Sequence, residues 1–121
     1  MAKRDITGAV DFAYLDNFCA GDTALIDEVL GLFAEQAQLW GRLLDPEGDG
    51  EAWRDGAHSL KGSALGIGAG DAARVCGEAE AAWRETPALK AAIRDRLDHA
   101  LRLALADIAA WRHEQALQGL R

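Results

Sequence analysis

The sequence predicts an all-α protein, an up-down-up-down four-helix bundle preceded by a short additional N-terminal helix. Three observations predict it. Apolar residues recur at steps of three and four along four long stretches, the period of one face of an α-helix. Ala, Leu, Glu and Arg dominate while β-branched residues are scarce, a composition that favours helix. The stretches are joined by short connections, with no strand alternation and no internal repeat, which favours antiparallel neighbours. A chain of 121 residues, half of them hydrophobic, fits one domain and buries one core without staples.

In chain order, residues 1–10 read as a flexible arm and residues 11–118 as the bundle. Asp11 caps a short helix carrying Phe12, Leu15, Phe18 and Cys19, which Gly21 ends. Asp22 or Thr23 caps a second helix whose stripe is Ile26, Val29, Phe33, Ala37, Trp40 and Leu44, widened by Leu25, Leu32, Leu39 and Leu43. Asp45-Pro46-Glu47-Gly48-Asp49-Gly50 is a turn. Its alternating acids look superficially like a calcium loop, but Gly56 stands where the bidentate glutamate belongs. A third helix runs from about Glu51 to Leu65 and breaks at Gly66-Ile67-Gly68-Ala69-Gly70. Asp71 is the expected cap of a fourth, with Ala72, Val75, Cys76, Ala79 and Trp83 inward. Thr86-Pro87 starts a long fifth helix to about Gln118, striped by Leu89, Ile93, Leu97, Ala100, Ala104, Ile108 and Trp111.

The net charge of −7 argues against binding nucleic acid or an anionic membrane, since like charges repel. No stretch approaches the ~20 apolar residues of a membrane span, and the N-terminus lacks the apolar run of a signal peptide. Cys19 and Cys76 have no metal-type spacing and read as reduced thiols of a cytoplasmic protein. His99 and His113 lie fourteen residues apart on the fifth helix, opposite its stripe. About 21 Å of helix separates them, so they cannot share a metal ion.

His58 is the candidate centre. The third helix has its core stripe at Trp53, Ala57, Leu60 and Ala64. At 100° per residue His58 falls roughly 140° from the centre of that stripe, facing outward. Arg54, Asp55, Lys61, Gly62 and Leu65 share its side of the wheel. Lys61, at i+3, reaches an anionic group on the ring. Gly62, at i+4, costs ~0.5–1 kcal/mol against alanine inside a helix, and a missing side chain there leaves room for a partner to approach. Leu65 is an exposed apolar docking candidate, with Arg54 and Asp55 beside it. On geometry alone an ordinary surface histidine competes with a functional one, and Gly62 is also open to a close helix contact. Gly56 lies toward the opposite side, where close helix packing explains it.

His58-Ser59-Leu60-Lys61-Gly62-Ser63-Ala64-Leu65-Gly66-Ile67-Gly68-Ala69 resembles the signature of histidine-containing phosphotransfer (HPt) domains. The match comprises the histidine, an apolar residue two on, Lys-Gly at three and four on, a small residue next, and Gly-Ala at ten and eleven on. Gly66 departs from it, standing where many members carry a polar residue. The segment from Asp22 to Phe33 also looks like the family's second helix, and the resemblance spans about residues 10 to 115.

The resemblance implies a four-helix bundle in a two-component phosphorelay. His58 would accept a phosphoryl group from a receiver-domain aspartate, or from a kinase, and pass it to a response-regulator aspartate. The nucleophile would be the distal ring nitrogen, the other needing an orienting acceptor. Lys61 would offset phosphoryl charge, and Gly62 would keep the approach open. Mg²⁺ would sit on the partner receiver, leaving this chain without a cofactor or metal of its own. No Walker loop is present, so the expectation is a carrier without autokinase activity, monomeric in isolation. A bundle that binds a receiver or kinase without being phosphorylated is the alternative.

Overall fold

The computed structural model describes residues 6–120, and residues 1–5 of the expected arm lie outside them. Five helices follow in order: α1 Phe12–Phe18, α2 Thr23–Gly41, α3 Gly50–Gly66, α4 Gly70–Ala81 and α5 Pro87–Gly119, with no strand among the described residues. Four begin at side-chain caps. Asp11 accepts from the Tyr14 amide, Asp22 from Leu25, Asp49 from Glu51 and Ala52, and Thr86 from Leu89. Each satisfies an amide that the first helical turn leaves unpaired, worth about 1 kcal/mol.

The start of α4 is different. Asp71 lies inside its first turn, and the cap is Ala69, which makes no side-chain hydrogen bond. The backbone makes this reversal instead. Gly68 adopts φ +70° and a Cβ there would lie 2.8 Å from that of Asp11. Its carbonyl accepts the Asp11 amide at 3.1 Å, and Ala69 donates to the Ala64 carbonyl at 2.8 Å. Glycine alone fits both the left-handed backbone and the close approach. Asp71 still places negative charge at the helix's positive end.

Helix α2 packs on α3 and α5, α3 on α4, and α4 on α5, while α1 lies on α2. The cross-links run in opposite sequence order. Ser63 meets Gln36 and the Gly56 region meets Trp40 and Leu43, so α2 and α3 are antiparallel. Lys61 meets Glu80 and Arg54 meets Trp83, so α3 and α4 are too. Trp53, Ala57, Leu60 and Ala64, the expected stripe of α3, are fully buried. Trp53 also donates its indole N–H to the Ala79 carbonyl at 2.7 Å, so this large side chain enters the core without orphaning its polar atom. Truncating it would cost about 3–5 kcal/mol.

Several expected stripe positions face solvent. Leu25, Leu32 and Leu39 of α2, Leu89 of α5 and Phe18 of α1 are exposed, while Leu30 and Leu101 are buried. The apolar surface of α2 is wider than the face that α3 and α5 cover, and periodicity alone does not say which edge is covered. Trp83 lies beyond the end of α4, in the turn that follows it. The expectation of a flexible arm fails for its last residues. Val10 is buried, and the buried Asp107 accepts from the Thr7 amide at 2.7 Å, the Thr7 hydroxyl at 3.0 Å and the Val10 amide at 3.1 Å. A buried carboxylate needs such donors, and these fasten the segment before α1 to α5.

Candidate functional site

The site grows from one row of α3. Burial of Trp53, Ala57, Leu60 and Ala64 turns the opposite side of the helix to solvent, and His58 stands there with its side chain 69% exposed. Its Nδ1 lies 2.8 Å from Oε2 of Glu80, and the other oxygen of that carboxylate, Oε1, accepts from Lys61 Nζ at 2.7 Å. Glu80 comes from the last turn of α4, the helix antiparallel to α3. One carboxylate therefore ties both functional candidates of α3 to the neighbouring helix.

The electrostatics follow from that geometry. The Lys61 hydrogen bond, chiefly, and then the one to His58 hold the Glu80 carboxyl below its ordinary value, against desolvation that pushes the other way. Ionised Glu80 is an acceptor only, so Nδ1 of His58 carries the proton and donates it. In that tautomer of the neutral ring the lone pair is on Nε2, at the edge away from Glu80. Beneath this pair, the stem of Lys61 passes over Gly77 of α4, where a Cβ would sit 3.8 Å from Cδ.

Access is open. A Cβ on Gly62 would meet nothing within 4 Å, so its lack of a side chain serves no helix contact. Gly56 is the reverse case: a Cβ would lie 2.9 Å from Leu43 Cβ and 3.0 Å from the Trp40 carbonyl, the close packing expected of it. Leu65 is 57% exposed on the His58 side. Arg54 lies half-exposed with its guanidinium 4.5 Å over the Trp83 ring and 3.6 Å from Asp55, which is well exposed. The Ser63 hydroxyl has Gln36 of α2 and, at 3.2 Å, the Ser59 carbonyl as alternative acceptors for its one proton, and the Gln36 contact ties the other flank of α3 to α2.

Glu80 is the site residue that sequence reasoning missed. It follows Ala79 of the α4 stripe directly, at the edge of the buried face. What places it opposite His58 is the register of α3 against α4, which no single-helix pattern carries. Cys76 is fully buried, and burial pushes its thiol up to about 12, against lowering by Lys61. It is no nucleophile at neutral pH. His99 and His113 are exposed on α5. Among the described residues, no group of three or more His, Cys, Asp or Glu side chains is placed to hold a metal ion. A groove of about 420 Å³ between α4 and α5, lined by Val75, Arg96, His99, Ala100 and Leu103 among others, shares no residue with the His58 site.

Residues 23–111 match the family model described as the Hpt domain. The chain belongs to the Hpt domain family. A solved structure, the crystal structure of histidine phosphotransferase ShpA from Caulobacter crescentus, is similar to this Hpt domain at 48% identity, over 94% of this chain and 100% of that one, with a TM-score of 0.77. A comparison with curated proteins gives no match. The exposed His58 lies inside the matched span of the Hpt domain, as do Lys61, Gly62 and Glu80. No helix among the described residues is long and apolar enough to cross a membrane.

Proposed function

We propose that the protein is a phosphohistidine carrier of a two-component phosphorelay, built as an up-down-up-down bundle with α1 as the additional N-terminal helix. His58 takes a phosphoryl group from the aspartate of a receiver domain, or from a kinase, and gives it to a response-regulator aspartate. The observation that carries this reading is the Glu80 contact. It holds the His58 ring by Nδ1 and presents Nε2 to solvent at an open helix face. Family membership supports the same reading.

The chemistry is a displacement at phosphorus. The Nε2 lone pair attacks in line, the N–P bond forms, and the acyl-phosphate P–O bond breaks with its electron pair leaving on the aspartate oxygen. As the ring takes on positive character, Glu80 stabilises it through Nδ1–H. Lys61 offsets charge on the phosphoryl oxygens, and Gly62 keeps the in-line approach open. Transfer to the next aspartate reverses the step. Mg²⁺ belongs to the partner receiver. Leu65, Arg54 and Asp55 lie where that partner docks. The carrier works in the cytoplasm as a monomer, binds neither nucleic acid nor membrane, and lacks autokinase activity.

Incubation with a phosphorylated receiver tests this. A single acid-labile, alkali-stable phosphohistidine appears on the wild-type chain and is absent from His58→Gln. Receiver binding with no transfer of label would instead make the protein an adaptor, and robust self-labelling from ATP would sink the carrier reading.

A further inference from the structure

Gly77 stands half-buried in the interior of α4, where glycine is less favourable than alanine. The backbone does not call for it. Among the described residues the glycines with positive φ are Gly8, Gly21 and Gly68, so Gly77 keeps an ordinary helical conformation. No neighbouring backbone presses on it either. At Gly50 and Gly56 a Cβ would lie 2.9 Å from the Trp83 carbonyl and 3.0 Å from the Trp40 carbonyl. At Gly77 the one atom beyond α4 within 4 Å of a Cβ is Cδ of Lys61, at 3.8 Å.

Lys61 uses this space. Its stem crosses from α3 over Gly77, and Nζ donates to Oε1 of Glu80 at 2.7 Å. Glu80 stands one turn on from Gly77, on the same side of α4. Its other oxygen, Oε2, meets His58 Nδ1 at 2.8 Å. The Lys61 side chain is 34% exposed, half that of His58 at 69%. A lysine stem that lies along a helix surface with its charged head at the edge is covered in this way. A methyl group at position 77 fits beneath the stem. A longer side chain grows from that Cβ into its path. The flexible four-carbon stem is then lifted off α4, and Glu80 keeps His58 alone.

We propose that Gly77 is a positioning residue for Lys61: the bare helix surface at this point seats the lysine stem and so fixes its ammonium on the carboxylate that also holds the His58 ring. This rests on the phosphotransfer reading above for its effect on the reaction. It adds a residue of α4 that acts through Lys61 and touches neither the imidazole nor the incoming phosphoryl group. A seated ammonium is ordered beside the ring before the phosphoryl group arrives, and a charge positioned beforehand needs no reorganisation during transfer.

The test uses the full chain. Gly77→Leu and Gly77→Gln grow an apolar and a polar side chain into the path of the stem. Gly77→Ala adds only the methyl that fits, and Lys61→Ala removes the stem. Side-chain carboxyl carbons are followed by NMR as pH is lowered, and transfer from a receiver domain phosphorylated with acetyl phosphate is timed for each variant. In the wild type Glu80 titrates below an ordinary glutamate, the Lys61 hydrogen bond being the chief cause. Gly77→Leu and Gly77→Gln move that titration upward, as Lys61→Ala does, while Gly77→Ala leaves it in place. Both long variants slow transfer roughly tenfold, the lower end of what losing an orienting group costs. In a Lys61→Ala background they change nothing further, as expected of two residues that act as one. A Glu80 titration that stays at its wild-type position in both long variants would overturn the proposal. So would losses that multiply in the double variants. Slow transfer in Gly77→Ala with Glu80 unmoved would overturn it too, by assigning the glycine to helix flexibility. Absence of label on the wild-type chain defeats the phosphotransfer reading, while the Glu80 titration still decides whether Gly77 seats Lys61.

Discussion

His58 Nδ1 lies 2.8 Å from Oε2 of Glu80, and that one contact decides which ring nitrogen is left facing solvent. Glu80→Ala would leave the ring able to rotate and Lys61 without its partner. Losing the group that orients a reactive imidazole typically costs about 10–100-fold, and phosphotransfer to this variant should fall in that range. Glu80→Gln should do better than Glu80→Ala, because its amide oxygen still accepts from Nδ1–H. Quench-flow transfer from a phosphorylated receiver gives both rates, and equal rates for the two variants would remove Glu80 from its orienting role.

Gly62 separates function from stability. A Cβ there meets nothing within 4 Å, so Gly62→Ala should raise helix stability by about 0.5–1 kcal/mol. Gly62→Gln should keep the fold yet slow transfer, since its side chain enters the approach to Nε2. Gly56→Ala should do the opposite to stability and lose about 1–3 kcal/mol to overpacking against Leu43 and the Trp40 carbonyl. Denaturant melts of the three variants, read beside transfer rates, check the contrast. Destabilisation by Gly62→Ala would mean that the glycine serves packing after all.

The helices and the exposed position of His58 were legible in the sequence for a physical reason. A period of three and four marks the buried face of each helix, and His58 shows itself by falling opposite that face. Glu80 was not legible, because its role depends on the register between two helices. The same holds for Asp107, whose partners Thr7 and Val10 stand about a hundred residues away. Leu25, Leu32 and Leu39 were misplaced because they sit beside a true stripe, and a wheel cannot tell a covered edge from an uncovered one.

Asp107 makes the first of these long-range ties testable. Asp107→Ala removes the acceptor of two backbone amides and one hydroxyl. Hydrogen bonds to charged groups are worth about 1.5–3 kcal/mol, so the variant should lose roughly that much. Hydrogen exchange should show the segment from Thr7 to Val10 opening first. A change near zero, with those amides still protected, would show that Val10 burial holds the segment unaided.

Acid should unfold the protein partly through α4. Arg96 chiefly, by a hydrogen bond, holds the Glu78 carboxyl below its ordinary value, with desolvation opposing and the charges of Arg96 and Arg74 assisting. Glu80 is lowered too, by Lys61 and then His58. A depressed carboxyl stabilises the fold where it is ionised. That contribution is complete above the ordinary glutamate value and is lost as pH falls through the depressed one. The melting temperature should therefore decline on the acid side of the ordinary glutamate range. Glu78→Gln should flatten part of that decline and leave the curve near neutral pH parallel to wild type. An unchanged acid limb in Glu78→Gln would take its ion pairs out of the account.

Cys76 offers a check on the core beneath the site. Its thiol is fully buried and pushed up to about 12 by burial. The thiolate, which is the reactive form, is then scarce at neutral pH, and the reagent has no path to it. Iodoacetamide should leave Cys76 unmodified in the folded protein and label it fully in denaturant. Labelling that tracks denaturant concentration along the global unfolding curve would show that α4 opens only with the whole bundle. Early labelling, ahead of that curve, would mean that α4 opens locally and carries Glu80 away from His58. Phosphotransfer should then fail at the same denaturant concentration, below the point where the remaining helices unfold.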